Sequence, residues 1–201
     1  MEYLVEMTTH VPQGTPDADV DDMRTREAKR ARELAVEGHL VRLWRPPLNP
    51  GEWRTFGLFS ADDESHLESV LSSMPLRVWR TDEVTPLSKH HNDPASVQGS
   101  ESMEFLTTLT ITAPDGTPAE RVDELRATEA ERARELGGEG RLVRLWTPQT
   151  EPGQWRTLGL WSAPDEAGLE ATLESLPLYV WMTVEAIPLT VHPSDPVMGN
   201  K

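Results

Sequence analysis

The segments Gly38–Pro47, GHLVRLWRPP, and Gly140–Gln149, GRLVRLWTPQ, lie 102 positions apart and share most of their residues. Working outward at that constant offset, residues 1–94 align with 103–196 without a gap, and 52 of the 94 positions are identical. A period this long exceeds the ~20–50 residues of stacked solenoid repeats. Each copy therefore reads as a folding unit, 1–92 and 103–196, with residues 93–102 as linker and 197–201 as a tail. The bridging stretch "SKHHNDPASVQGSE" is polar and rich in turn formers, as a linker is.

Each copy follows one order of elements. A strand-like run opens it, EYLVEMT or EFLTTLT. Thr15-Pro16 and Thr117-Pro118 then read as helix starts, with threonine as the cap and proline in the first turn. The helix runs to about Ala35 or Gly137, and Gly38 or Gly140 stops it. HLVRLWR and RLVRLWT are second strands. Turns at Asn49-Pro50-Gly51 and Glu151-Pro152-Gly153 lead into third strands, WRTFGLF and WRTLGLW. A second helix is expected from Ser60 or Ser162, with early acids that suit its dipole. RVWRTDEVTPL and YVWMTVEAIPL are fourth strands. The order β-α-β-β-α-β is the ferredoxin-like pattern. The fold class is α+β: two such domains, each with helices on one sheet face, expected to pack sheet to sheet as an intramolecular pseudo-dimer.

A carboxylate interrupts the apolar stripe of the first helix. Val20, Met23, Ala31 and Leu34 share one face at about 100° per residue, and Glu27 falls near its centre. Glu129 occupies the matching place among Val122, Leu125, Ala133 and Leu136. A buried carboxylate is costly unless paired or protonated, and burial raises its pKa toward the range of a general acid or base. The plainer role is a structural ion pair with a sheet arginine. Arg24 and Arg126 sit one turn earlier. Arg42 and Arg144 lie on the second strands, Arg54 and Arg156 on the third, and Arg45 is replaced by Thr147 in the second copy. Strand alternation places Arg42 and Arg45 on opposite faces. Any lone arginine is by default a solvated charge. One beside an inward carboxylate is suited to clamp a substrate carboxylate. The seven tryptophans fall on expected strands and read as core or sheet-interface packing. His90-His91, in a polar segment, read as solvated.

The net charge of −15 argues against a nucleic-acid partner, although a local arginine cluster can still bind an anionic small molecule. No cysteine is present. No apolar run reaches the ~18–20 residues of a membrane span, and the basic start of a secretory leader is absent. A cytoplasmic protein without a membrane partner is the expectation. No zinc-protease, nucleophile-elbow, phosphate-loop or dinucleotide motif occurs.

The opening YLVEMT, the helix RTREAKRARELA around Glu27, EGHLVRLWR, LPL before the last strand and a closing His-Pro together resemble the muconolactone Δ-isomerase family. The resemblance covers both copies, about nine-tenths of the chain. It implies small ferredoxin-like domains that pair through their sheets and assemble into homo-oligomers, working without metal or organic cofactor. It implies an isomerase that moves a proton within an unsaturated lactone in aromatic degradation. Glu27, and Glu129 in the second copy, would be the proton shuttles. Arg45 would hold the substrate carboxylate, and Arg24 and Arg126, one turn before the glutamates, and His192 are the further candidates for substrate binding. The copies depart from the pattern in complementary ways. The first keeps Arg45 but reads His90-His91 where the family's His-Pro falls, whereas the second has His192-Pro193 but Thr147. One composite site, one degenerate half and an altered substrate all fit this division. Two other functions share the scaffold: a different cofactor-independent enzyme of aromatic or polyketide metabolism, such as an oxygenase or cyclase, and a non-catalytic small-molecule-binding protein.

Overall fold

The computed structural model describes residues 1–96, 102–149 and 155–200. The turn expected at Glu151–Gly153, linker residues 97–101 and Lys201 lie outside the described residues. The first copy contains β1 (Glu2–Thr9), α1 (Asp17–Val36), β2 (Leu40–Arg45), β3 (Arg54–Ser60), α2 (Glu64–Ser72) and β4 (Arg80–Lys89). The second contains β5 (Met103–Ile111), α3 (Ala119–Gly138), β6 (Leu142–Pro148), β7 (Trp155–Ala163), α4 (Glu166–Glu174) and β8 (Met182–Val191). Both copies thus have the ferredoxin-like order.

The compact units cross the repeat boundaries. One comprises Met1–Leu87 with Thr190–Lys201, the other Ser88–Leu189. The segment after each fourth strand thus belongs to the unit built from the other copy. In the first unit β1 lies between β3 and β4, antiparallel to both, with Glu2 opposite Ser60 and Leu87. β2 pairs with β3 on one side and with Thr190–Val191 on the other. In the second unit β5 lies between β7 and β8, and β6 pairs with β7.

Each unit has its own core under its helices. Tyr3, Val5, Leu34, Leu43, Phe59 and Leu71 anchor the first, and Phe105, Leu109, Leu136, Leu145, Trp161 and Leu173 the second. Leu34 and Leu136 are fully buried, each worth about 1.5–3 kcal/mol of transfer free energy. One pair of differences between the cores is concerted. Val5 and Phe59 in the first copy become Thr107 and Trp161 in the second. The Trp161 indole N–H donates to Thr107 Oγ1 at 2.8 Å, as a buried indole requires an acceptor. Gly159 lies beneath that ring, where any side chain would collide with it.

Several local expectations are corrected. Thr15 and Thr117 do not cap their helices. Their hydroxyls donate to the carbonyls of Pro12 and Pro114 at 2.7 and 2.6 Å and brace the preceding turns. The second helices begin later than Ser60 and Ser162, because those serines are held in β3 and β7. Asp63 and Asp165 provide the caps, accepting from the backbone N–H groups of His66 and Gly168. Trp79 and Trp181 end short 3-10 turns ahead of β4 and β8. Gly38 and Gly140, at φ +81° and +72°, stop α1 and α3 as expected.

Candidate functional site

The stripe of α1 buries Met23, Ala31 and Leu34 and carries Glu27 to the edge of the core. The glutamate side chain is 14 % exposed. Its Oε2 accepts from the Leu76 backbone N–H at 2.8 Å, and its Oε1 accepts from Arg80 at 3.3 Å. Burial nevertheless dominates and holds the carboxyl above the usual glutamate range. The Leu76 bond and Arg80 pull the other way, and Asp82 adds to the rise. Arg80 is locked in turn by Asp82, at 2.6 and 3.0 Å, and Arg77 bridges Asp82 to Glu68.

A cavity of about 600 Å3 opens in front of Glu27. Arg24, Arg45, Trp53, Arg80 and His192 are among its lining residues. Arg24, Glu27, Arg45 and His192, singled out separately in the sequence, thus line one cavity. The cavity draws on both repeats, because His192-Pro193 enters from the end of the second copy. Arg24 stacks over Trp53, 4.7 Å from the ring centre.

The His192 segment is fixed by an ion pair that the sequence reading missed. Asp195 is fully buried and accepts from Arg42 Nε at 3.1 Å and from the Leu43 backbone N–H at 2.7 Å. The His192 backbone N–H donates to the Leu43 carbonyl at 3.0 Å. Arg42 is therefore a structural cation on the face opposite Arg45. The Ser194 backbone N–H donates to His192 Nδ1 at 3.0 Å. A neutral ring then carries its proton on Nε2, and burial followed by the Arg45 charge depresses the pKa to about 4. Arg45 Nη2 lies 3.3 Å from that Nε2. A guanidinium only donates, so two donors converge, an arrangement that an oxygen anion accepting from both would complete.

The second unit repeats the scaffold with different chemistry. Glu129 accepts from the Leu178 backbone N–H at 2.9 Å, and burial raises its pKa. Met182 stands where the first copy has Arg80, Val184 where it has Asp82, and Thr147 where it has Arg45. Among the described residues no ion pair reaches Glu129. Its cavity of about 410 Å3 is lined by His90, Arg126, Trp155, Trp161 and Met182 among others. Arg126 stacks on Trp155 at 4.3 Å. Thr147 is exposed and absent from that lining.

The reading of His90 as solvated, and of residue 93 as linker, is corrected here. Asp93 is buried and accepts from Arg144 Nε at 3.1 Å and the Leu145 backbone N–H at 2.9 Å. That pair holds His90 in the second cavity. The signal was the Asp-Pro at the same offset in both copies, Asp93-Pro94 and Asp195-Pro196. Among the described residues no group of three or more His, Asp or Glu is arranged to hold a metal ion. None of their helices is long and apolar enough to cross a membrane.

The family model and the curated relatives name one family. The family model for muconolactone delta-isomerase matches residues 1–93 and again 103–195. The muconolactone delta-isomerase of Cupriavidus pinatubonensis is 35% identical over 98 residues, which is 49% of this chain and the whole of that protein. A crystal structure of muconolactone isomerase is 30% identical, covering 46% of this chain and 93% of its own, with a TM-score of 0.41. The chlorite dismutase of Candidatus Nitrospira defluvii covers 99% of this chain and 94% of its own at a TM-score of 0.62, but with 10% identity it shares the fold alone. With both halves matched by the family model, the chain is a tandem duplication that belongs to the muconolactone delta-isomerase family.

Proposed function

We propose that the first cavity is the proton-transfer site of an isomerase acting on a small carboxylated unsaturated lactone of aromatic catabolism. The observation that carries this reading is the meeting of Glu27, Arg45 and His192-Pro193 in one cavity, although no single repeat holds all of them. Family membership supports the reaction class. Glu27 as carboxylate takes a proton from the γ-carbon, the one conjugated to the lactone carbonyl through the double bond, and leaves a dienolate that can be protonated beside the carbonyl. The same carboxyl then returns the proton to a different carbon of the conjugated system. The double bond moves and nothing is gained or lost overall. A carboxyl held above its usual range suits both halves of this exchange. Arg45 and the His192 Nε2–H bind the substrate's free carboxylate, and Arg80 with the Leu76 N–H fixes the shuttle.

Proton NMR of muconolactone mixed with the intact chain tests this. Turnover is expected, and Glu27→Gln should lower it by about 10²-fold or more. A parent that leaves muconolactone unchanged, or a variant with near-parent turnover, would overturn the assignment.

A further inference from the structure

The second cavity is not a weakened copy of the first, because its differences form a consistent set. Arg80, Asp82 and Thr9 of the first copy correspond to Met182, Val184 and Ile111. Phe59 has become Trp161, with Thr107 supplied to accept its indole N–H. Leu109, Ile111, Leu142, Trp161 and Met182 leave a largely apolar wall. Polar groups also line it, Glu129 and His90 together with His91, Asn92 and Thr157. Glu129 is anchored by the Leu178 N–H. His90 accepts at Nδ1 from the Asn92 backbone N–H at 3.2 Å, so the neutral ring presents a donor at Nε2. Burial, and then the neighbouring His91 charge, depress the His90 pKa to about 4, so that ring favours its neutral form, and burial raises the pKa of Glu129 against the pull of the Leu178 N–H. Arg126, the one arginine or lysine in the lining among the described residues, is exposed and stacked on Trp155.

We propose that the cavity around Glu129 binds an uncharged small molecule, a ring-sized apolar body bearing a carbonyl or ester oxygen that accepts from the His90 Nε2–H. A volume of about 410 Å3 is within the range of small-ligand sites. A carboxylate would lose its hydration there and meet no arginine equivalent to Arg45 or Arg80. The proposal does not depend on catalysis in the first cavity.

Methyl benzoate and benzoate serve as neutral and anionic probes of one skeleton. The readout is the indole N–H resonances of the nitrogen-15-labelled chain, with Trp161 assigned through Trp161→Phe and Trp53 through Trp53→Phe. Methyl benzoate should shift the Trp161 signal saturably, and benzoate should do so with about tenfold or more lower affinity. Met182→Arg, which restores the residue of the first copy, should weaken methyl benzoate by about tenfold at Trp161 while the Trp53 response to benzoate stays as in the parent. Leu109→Trp fills the cavity without adding charge and should also abolish the Trp161 response, which keeps the test alive if the arginine variant fails to fold. A Trp161 signal unmoved by methyl benzoate, equal affinity for both probes there, or parent-like binding by Leu109→Trp would overturn the proposal.

Discussion

Glu27 and Glu129 occupy equivalent helix positions and keep the same backbone anchor, Leu76 N–H in one case and Leu178 N–H in the other. Around Glu27 lies an ionic chain through Arg80, Asp82, Arg77 and Glu68. Around Glu129 the corresponding positions are Met182, Val184, Tyr179 and Glu170, and the fold is unchanged. The ionic chain is therefore not required by the fold, in keeping with the near balance between Coulombic gain and desolvation in buried ion pairs. The features common to both units are the structural ones: the backbone anchor, the Arg42–Asp195 or Arg144–Asp93 pair, and a histidine directed into the cavity. The features confined to the first unit are the charges of Arg45, Arg77, Arg80 and Asp82.

The sharpest way to break this division is through the shared pair. Asp195→Ala removes from the Arg42 guanidinium, 1% exposed, the Asp195 carboxylate, and from the Leu43 N–H the same acceptor. A loss of about 3–5 kcal/mol in denaturant unfolding is expected, and Asp93→Ala should cost a similar amount. The two variants should differ in function. Loss of Asp195 releases His192 from the first cavity and weakens binding of a carboxylate substrate analogue, whereas loss of Asp93 leaves that binding intact. A cost below about 1 kcal/mol for both would remove the structural role given to the pair.

Arg45→Thr copies the second repeat into the first. Losing a charged hydrogen bond to a bound carboxylate should cost about 1.5–3 kcal/mol of analogue affinity by calorimetry. Unchanged affinity would mark Arg45 as a surface charge and its replacement by Thr147 as drift.

The smallest expected effect lies in the pH dependence of stability. His90 and His192 have folded pKa values of about 4 against an ordinary 6.5. Between those values the unfolded chain binds more protons, so these histidines make stability fall as pH drops from about 6.5 toward 4. The raised carboxyls of Glu27 and Glu129 act in the opposite sense, since the folded state holds their protons more tightly. Comparison with His192→Gln isolates one histidine. The variant should lose less stability than the parent over that interval, by on the order of 1 kcal/mol after allowance for partial exposure. An identical loss would contradict the neutral-histidine assignment.

Much of this was legible in the residues, and what was not has identifiable physical causes. The duplication, the element order, the glycine stops and the inward glutamates follow from periodicity and local conformational preference. Ser60 misled because its capping preference was overridden by strand pairing with Glu2. The histidine segments misled more. His90 and Asp93 sit in a stretch that is polar in composition, and their burial comes from Arg144 and Leu145, about fifty residues away. Asp195 reaches back 153 residues to Arg42. Nothing local in either repeat encodes that its final histidine lines the cavity of the other, so the division of Arg45 and His192-Pro193 between repeats fitted a composite site, a degenerate half and an altered substrate alike, whereas in the fold these residues line one cavity.

The central claim is that one of two equivalent carboxyls moves protons and the other does not. Side-by-side muconolactone turnover by Glu27→Gln and Glu129→Gln, each replacing a carboxyl with an amide of the same shape, tests it most directly. The account predicts a loss of about 10²-fold or more for Glu27→Gln and parent-like turnover for Glu129→Gln. Equal losses in the two variants, or a larger loss for Glu129→Gln, would contradict it.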